Sequence, residues 1–160
     1  DLVDRKIDIG LMTELSKQSG LLSKRISVEP LVLVTPKLVD KIRWEELLAL
    51  GFISHPDAAH HGSLLLTENF SEFEHIEQFP HKGFSNQISL ILEPVSKGLG
   101  FTVIPLHAAK AFAFQDLIKI HTLKHAVNES LYLCVNRYST LANRTKFIKS
   151  SILELIKKGD

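Results

Sequence analysis

Residues 84–105 read FSNQISLILEPVSKGLGFTVIP and contain the clearest pattern in the chain. Ser85 or Asn86 can cap a helix, because a short side-chain oxygen there satisfies a free backbone N–H group. Apolar residues then recur at helical spacing, at Ile88, Ile91, Leu92 and Val95. Gly98 suits the left-handed position just past a helix, and residues 101–104 form an apolar run typical of a strand covered on both faces. The pattern predicts a helix over 86–97, kinked at Pro94, and then a buried strand.

Strands and helices alternate along the rest of the chain. The predicted strands are 7–12, 26–34, 52–54, 75–83, 117–121 and 131–135, with a turn at 128–131. The predicted helices are 44–50, 62–69, 108–114 and 140–158. An alternation of this kind indicates an α/β sheet.

The composition excludes several classes of protein. The hydrophobic fraction of 44% and the charged fraction of 23% are typical of a soluble globular protein. The formal net charge of +1 provides no general attraction to nucleic acid or to a membrane. A single cysteine, Cys134, excludes an internal disulfide framework and fits a reducing compartment. No apolar run approaches the ~20 residues of a membrane helix. We therefore expect a cytoplasmic protein that makes no membrane contact.

Residue types that carry chemistry are present, but not in catalytic patterns. The segment HPDAAHH, residues 55–61, has no cysteine partner and no HExxH spacing, so we expect no metal site and no cofactor. No serine stands in a GxSxG elbow, and Cys134 lies in an apolar run that favours a buried small hydrophobe. The basic residues of the last predicted helix favour a solvated polar face. We expect no enzymatic activity.

Four segments, in order, resemble the effector-binding domain of LysR-type transcriptional regulators. Those domains have a helix that ends in V-x-x-G-x-G, followed by an apolar strand and often a proline. Here the corresponding residues are Val95-Ser96-Lys97-Gly98-Leu99-Gly100 and Ile104-Pro105. The family's D-[IL]-[AG]-[IL] strand resembles Asp8-Ile9-Gly10-Leu11, and the strand that enters the second lobe resembles Glu29-Pro30-Leu31-Val32-Leu33-Val34. The closing C-terminal helix carries Arg144, Phe147 and Ile148.

The resemblance implies an α/β, two-lobed, periplasmic-binding-protein-like fold of type 2. Residues 1–34 would be part of the first lobe, residues 35–124 the second lobe, and residues 125–160 the return strand and C-terminal helix of the first lobe. It also implies that an N-terminal winged helix-turn-helix and the opening of the first lobe precede residue 1. The chain is therefore expected to be an incomplete piece of a longer regulator.

The resemblance also implies a set of ligand-binding residues. Thr13 follows the first strand, where such domains often place a hydroxyl group on the effector. Phe84, Ser85 and Asn86 occupy the positions from which the second lobe contacts the effector, and Ser54 ends another strand. A hydroxyl group beside free N–H groups suits an anion, and Phe84 favours an apolar body on the ligand. Ser85 or Asn86 as a simple helix cap is an equally good interpretation.

The implied function is effector sensing by a bacterial transcription regulator. A small, anionic molecule would bind between the lobes and modulate DNA binding by the separate winged helix-turn-helix domain, within a homodimer or homotetramer. DNA would be contacted only through that other domain. Two alternatives stay open: a solute-binding protein of the same fold, which needs an export signal, and a catalytic member of the fold class, which needs a reactive dyad.

Overall fold

A computed structural model describes residues 1–159. Backbone contacts divide the chain into two compact units. Unit 1 consists of Asp1–Glu29 together with the chain from Glu129 onward, and unit 2 consists of Pro30–Asn128. Unit 2 is therefore continuous in sequence, whereas unit 1 is made of two separate segments.

The helices and strands follow the alternation that the sequence predicts. The strands are β1 (Ile9–Met12), β2 (Leu21–Pro36), β3 (Phe52–Ser54), β4 (His81–Phe84), β5 (Thr102–Pro105), β6 (Ile118–His121) and β7 (Val127–Asn136). The α-helices are α1 (Trp44–Leu50), α2 (Ala58–Thr67), α3 (Leu92–Ser96), α4 (Leu106–Lys110) and α5 (Asn143–Gly159). Short 3₁₀ helices occupy Ile76–Gln78, Ile88–Leu90 and Gln115–Leu117. Strands β2 and β7 begin in one unit and end in the other.

Unit 1 is built on an antiparallel pair of strands. In this pair β1 lies beside β7, with Ile9 opposite Val135 and Met12 opposite Tyr132. Its core contains the buried residues Leu2, Leu21 and Cys134, with Met12 and Tyr132 packed against them. Cys134 is fully buried, as the apolar run around it predicts. Helix α5 agrees closely with the predicted helix 140–158.

Unit 2 has a larger core because its central strands are covered on both faces. Strand β2 pairs antiparallel with β5 and with β6. Alternate residues of β2 enter different clusters: Leu31 and Leu33 pack with α1 and α2, whereas Val32 and Val34 pack with α3 and α4. This division follows from the two-residue period of a strand, and it confirms that the apolar run at 101–104 belongs to a strand buried on both faces.

An aromatic cluster fills one side of unit 2. The ring of Phe79 lies 4.9 Å from that of Trp44 and 4.9 Å from that of Phe101, and the ring of Phe52 lies 5.1 Å from that of Phe101. This cluster fixes the start of β3, since Phe52 is part of it. It therefore helps to hold the short parallel pair β3–β4, whose ends carry the candidate ligand residues.

Several predicted elements differ from the structure. The helix predicted over 62–69 begins earlier, as α2, and the helix predicted over 108–114 ends at Lys110, as α4. The helix predicted over 86–97 is a 3₁₀ turn, Ile88–Leu90, followed by the short helix α3, in whose first turn Pro94 lies. The strand predicted over 75–83 is a 3₁₀ turn followed by β4. The turn predicted at 128–131 is wrong, because β7 runs through it without a break.

Candidate functional site

Four of the five predicted ligand residues come together at one edge of unit 2. Strands β3 and β4 are parallel, with Ser54 opposite Phe84, so both strands end at the same edge. The backbone N–H of Ser85 donates to the carbonyl of Ser54 at 3.0 Å, which extends the pairing by one residue. Asn86 follows directly. Carboxyl ends of parallel strands are the usual place for ligand sites in α/β folds.

The hydroxyl group of Ser85 organises the turn that leaves β4. Its Oγ accepts a hydrogen bond from the backbone N–H of Gln87 at 3.2 Å, and its O–H donates to the Gln87 carbonyl at 3.1 Å. Gln87, rather than Ser85 or Asn86, precedes the first helical turn, so the prediction that Ser85 or Asn86 caps this helix is wrong. Ser85 acts instead as a local turn residue.

This turn exposes backbone donors. Among the described residues, no protein acceptor is found for the N–H groups of Asn86, Ile88 and Ser89. They lie near Ser85, whose hydroxyl proton is donated to the Gln87 carbonyl, and as free backbone donors they can hold an anion. The dipole contributes less than a long helix would, because the 3₁₀ turn and α3 together are short.

Phe84 provides an apolar surface next to these donors. Its side chain is 61% exposed, although it is large and aromatic. Ser54 is half-buried and Asn86 is exposed. An exposed ring beside free hydrogen-bond donors suits a ligand that has an apolar body and a charged end.

His55 follows the last residue of β3 and is fixed by a hydrogen bond. Its side chain is buried, and Nε2 lies 2.8 Å from the carbonyl oxygen of Val103 in β5. Burial lowers the pKa of His55, so the neutral imidazole is favoured. Its ring centroid lies 5.4 Å from that of His61, which is also buried. Across residues 1–159, no group of three or more metal-ligating side chains is arranged to hold a metal ion.

Thr13, the fifth predicted residue, lies in unit 1. It follows the last residue of β1 and its side chain is exposed. Its position agrees with the prediction of a hydroxyl group at the end of the first strand. Its part in ligand binding stays a prediction.

Two features of this region were not predicted from the sequence. Thr102 Oγ1 donates to the carbonyl of Ile53 at 2.9 Å and fixes β3 from the side opposite β4. A largely apolar cavity of about 360 Å³ borders Ile88 and Ser89, with Phe112 and Phe114 on its other wall. The Ala- and Phe-rich composition of residues 108–114 was the available signal for the cavity. The sequence contains no signal for the hydrogen bond of Thr102, since its partner Ile53 belongs to another strand.

The described residues include no helix that is both long and apolar enough to cross a membrane.

Comparison with solved structures supports the fold. The chain resembles the effector binding domain of QuiR in complex with shikimate, with 17% identity, a TM-score of 0.67, and coverage of 99% of this chain and 76% of that one. It resembles the Synechocystis PCC6803 CcmR regulatory domain in complex with 2-PG, with 13% identity, a TM-score of 0.69, and coverage of 98% and 76%.

A longer relative has the same fold. An OxyR mutant from Corynebacterium glutamicum is 16% identical, with a TM-score of 0.71, and is matched over 99% of this chain but only 50% of its own length. A search of curated proteins gives no match. The family described as LysR substrate binding domain matches residues 1–152. The chain therefore belongs to the LysR substrate binding domain family, and its two-lobed α/β fold is periplasmic-binding-protein-like.

Proposed function

We propose that this chain is the effector-sensing domain of a LysR-type transcription regulator. The main support is the edge of unit 2 at which β3 and β4 end. The Ser85 hydroxyl, free backbone N–H groups and the exposed Phe84 ring lie side by side at this edge. Membership of the LysR substrate binding domain family supports the same role. The relatives QuiR and CcmR were solved with shikimate and 2-PG, respectively.

The ligand is a small anion with an apolar body. The backbone N–H groups of Asn86, Ile88 and Ser89 hold its charged group, and Phe84 covers its apolar part. The Ser85 hydroxyl exchanges its hydrogen bond to the Gln87 carbonyl for one to the ligand. Residues 1–34 and 125–160 belong to the first lobe and residues 35–124 to the second. Thr13 then supplies a further hydroxyl from the first lobe.

The domain acts by shifting a population of conformations. A ligand held by both lobes favours the conformation in which these contacts are made. The change is transmitted to a winged helix-turn-helix domain in the intact regulator, which works as a homodimer or homotetramer in the cytoplasm. The domain itself is not an enzyme and uses no cofactor. The solute-binding alternative has no observation of its own in its favour.

The test is a binding experiment on the 160-residue chain. Shikimate, 2-PG and benzoate serve as probes in a thermal-shift screen, and the best probe is then titrated by calorimetry. We expect Thr13→Ala and Ser85→Ala each to weaken binding about ten- to a hundredfold, since each removes a hydrogen bond to a charged ligand. Ser71→Ala is the matched control, because Ser71 is an exposed serine that bonds only to its neighbour Glu72.

Binding affinity and melting temperature together distinguish a loss of ligand contacts from a loss of stability. If both variants bind the probe as tightly as the parent and keep its melting temperature, the ligand binds elsewhere. If Ser85→Ala binds normally but melts at a lower temperature, Ser85 is only a turn residue.

A further inference from the structure

A second surface lies at the opposite edge of the short parallel strands. A cavity of about 890 Å³ opens at their amino-terminal ends. Leu50 precedes β3, Lys82 lies at the start of β4, and Leu99 precedes Phe101, which bridges to Phe52 in parallel. A strand of three or four residues is about 10–13 Å long, so this cavity is separated from the candidate effector site by the length of the strands.

Leu38 projects from this surface. Its side chain is 94% exposed, and it lines the large cavity and also a neighbouring one of about 450 Å³. Gly98 lines both cavities as well. Leu99 and Leu117 are exposed beside it. We call this region, defined by Leu38, Gly98, Leu99 and Leu117, the Leu38 surface. A single exposed leucine is ordinary, but a contiguous apolar region with two grooves marks an interaction site.

Around the Leu38 surface, two carboxylates form ion pairs, whereas several lysines do not. Asp40 accepts from Nζ of Lys119 at 2.6 Å, and this hydrogen bond lowers the pKa of Asp40. Glu46 accepts from Arg43 at 2.7 Å. Four further lysines line the two cavities: Lys37, Lys41, Lys82 and Lys97. Among the described residues these four ammonium groups form no ion pair. The carboxylates at positions 40 and 46 are therefore each paired with a cation, and the four lysines outnumber the one further carboxylate that lines the cavities, Asp116.

We infer that the Leu38 surface docks an acidic segment of a partner protein, with one apolar side chain of that segment in each groove beside Leu38. Charge complementarity to the four lysines supports the acidic character, and two adjoining grooves support a segment of several residues. A small molecule in the large cavity alone would leave the neighbouring groove beside Leu117 empty. Nucleic acid fits less well, because its phosphates and sugars provide no apolar side chain for the two grooves beside Leu38. This docking does not require an effector.

The probe is a fluorescein-labelled acidic peptide of about 16 residues, made of Glu, Ala and Leu with leucines at i, i+3, i+4 and i+7. Binding to the full chain is followed by fluorescence anisotropy. One variant is Leu38→Asp, and the other is the pair Lys41→Glu and Lys97→Glu. We expect each to weaken binding about tenfold or more, because each removes a central contact. Leu155→Asp and the pair Lys110→Glu and Lys124→Glu are the matched controls, since these exposed residues lie outside both grooves.

Peptide controls decide the chemistry of the partner. A version with Lys in place of Glu and a version with Ala in place of Leu should both bind much more weakly than the acidic peptide. The inference is overturned if Leu38→Asp, folded as judged by circular dichroism, binds the acidic peptide as the parent does. It is also overturned if the acidic peptide gives no binding, or if a DNA duplex or a phosphatidylglycerol vesicle binds in its place with the same dependence on Leu38.

Discussion

Gly51 shows how one residue fixes the geometry of the strands behind the candidate site. It ends α1 with φ 74° and ψ 172°, a combination that is accessible almost only to glycine. A Cβ atom at this position would lie 2.6 Å from the carbonyl oxygen of Pro80. That oxygen accepts a hydrogen bond from the backbone N–H of Phe52 at 2.8 Å, so it cannot move away from the Cβ atom without breaking this hydrogen bond. Gly51 is therefore needed for both the conformation and the space.

Substitution of this glycine should be costly. We expect Gly51→Ala to lower the free energy of unfolding by about 2–4 kcal/mol, from the strained backbone and the clash together. Gly98→Ala should cost less, since its φ is +82° but its Cβ would meet no atom within 4 Å. Urea denaturation measures both.

Gly20 is the control for this series. Its φ lies outside the left-handed region and its Cβ would be free of contacts, so Gly20→Ala should be neutral or slightly stabilising. If Gly51→Ala were as stable as Gly20→Ala, the close approach of Pro80 would be contradicted.

His55 should make stability depend on pH. Burial lowers its pKa below 6.5 in the folded state, so the unfolded chain binds more protons between the folded and the unfolded pKa. The free energy of unfolding should therefore fall as the pH is lowered through 6.5 and level off below the folded pKa. His121 contributes with the same sign, because burial lowers its pKa too.

A variant isolates the contribution of His55. His55→Gln keeps a donor for the Val103 carbonyl but cannot titrate, so stability should vary less between about pH 7 and 5. Denaturation at several pH values measures this slope. An unchanged slope in His55→Gln would contradict the assignment.

The segment 86–97 shows what periodicity can and cannot predict. The apolar spacing correctly identified a helical region whose residues Ile91, Leu92 and Val95 are buried. It did not reveal the division into a 3₁₀ turn and α3. Pro94 explains part of this, since proline is tolerated in a first turn, where its missing N–H has no intrahelical partner.

Replacement of Pro94 tests this interpretation. We expect Pro94→Ala to change the free energy of unfolding by only about 0.5 kcal/mol in either direction, because the position is already compatible with a helix start. A proline inside a continuous helix would cost about 3 kcal/mol. A gain of that size on replacement, measured by urea denaturation, would mean that Pro94 strains the helix instead of beginning it.

Strand β7 shows a case in which pairing overrides local preference. Asn128, Glu129 and Ser130 have the composition of a turn, yet they lie within the strand, and Glu129 is buried.

The candidate site shows the same limit of prediction from the sequence. Its residues were inferred from the family resemblance and stay a prediction as ligand contacts, whereas the hydrogen bond between Ser85 and Ser54 could not be inferred from the sequence. The register of β3 and β4, including the irregularity after Phe52, is set by neighbours far away in the sequence.

The two units differ in how well their apolar residues are covered. Unit 2 has two large buried clusters. The buried cluster of unit 1 contains Leu2, Leu21 and Cys134. Large apolar side chains in unit 1, including Leu15, Tyr138 and Phe147, are exposed. Since local stability follows buried apolar contacts, the described part of unit 1 should open more readily than unit 2.

Hydrogen exchange of the 160-residue chain measures this difference. The amide groups of β5 should exchange about tenfold or more slowly than those of β1, although both strands lie in antiparallel pairs. Equal protection in the two strands would show that the units open together.

The interrupted course of unit 1 has a consequence for synthesis on the ribosome. Ile9 pairs with Val135, and the whole of unit 2 lies between them in the sequence. Strand β1 must therefore wait, without β7, until unit 2 has emerged. Unit 2 is continuous and holds the larger core, so it can fold during this interval. Its folding places the first and last residues of its segment close together. Translation speed across residues 30–128 then sets how long the exposed apolar side chains of β1 stay uncovered.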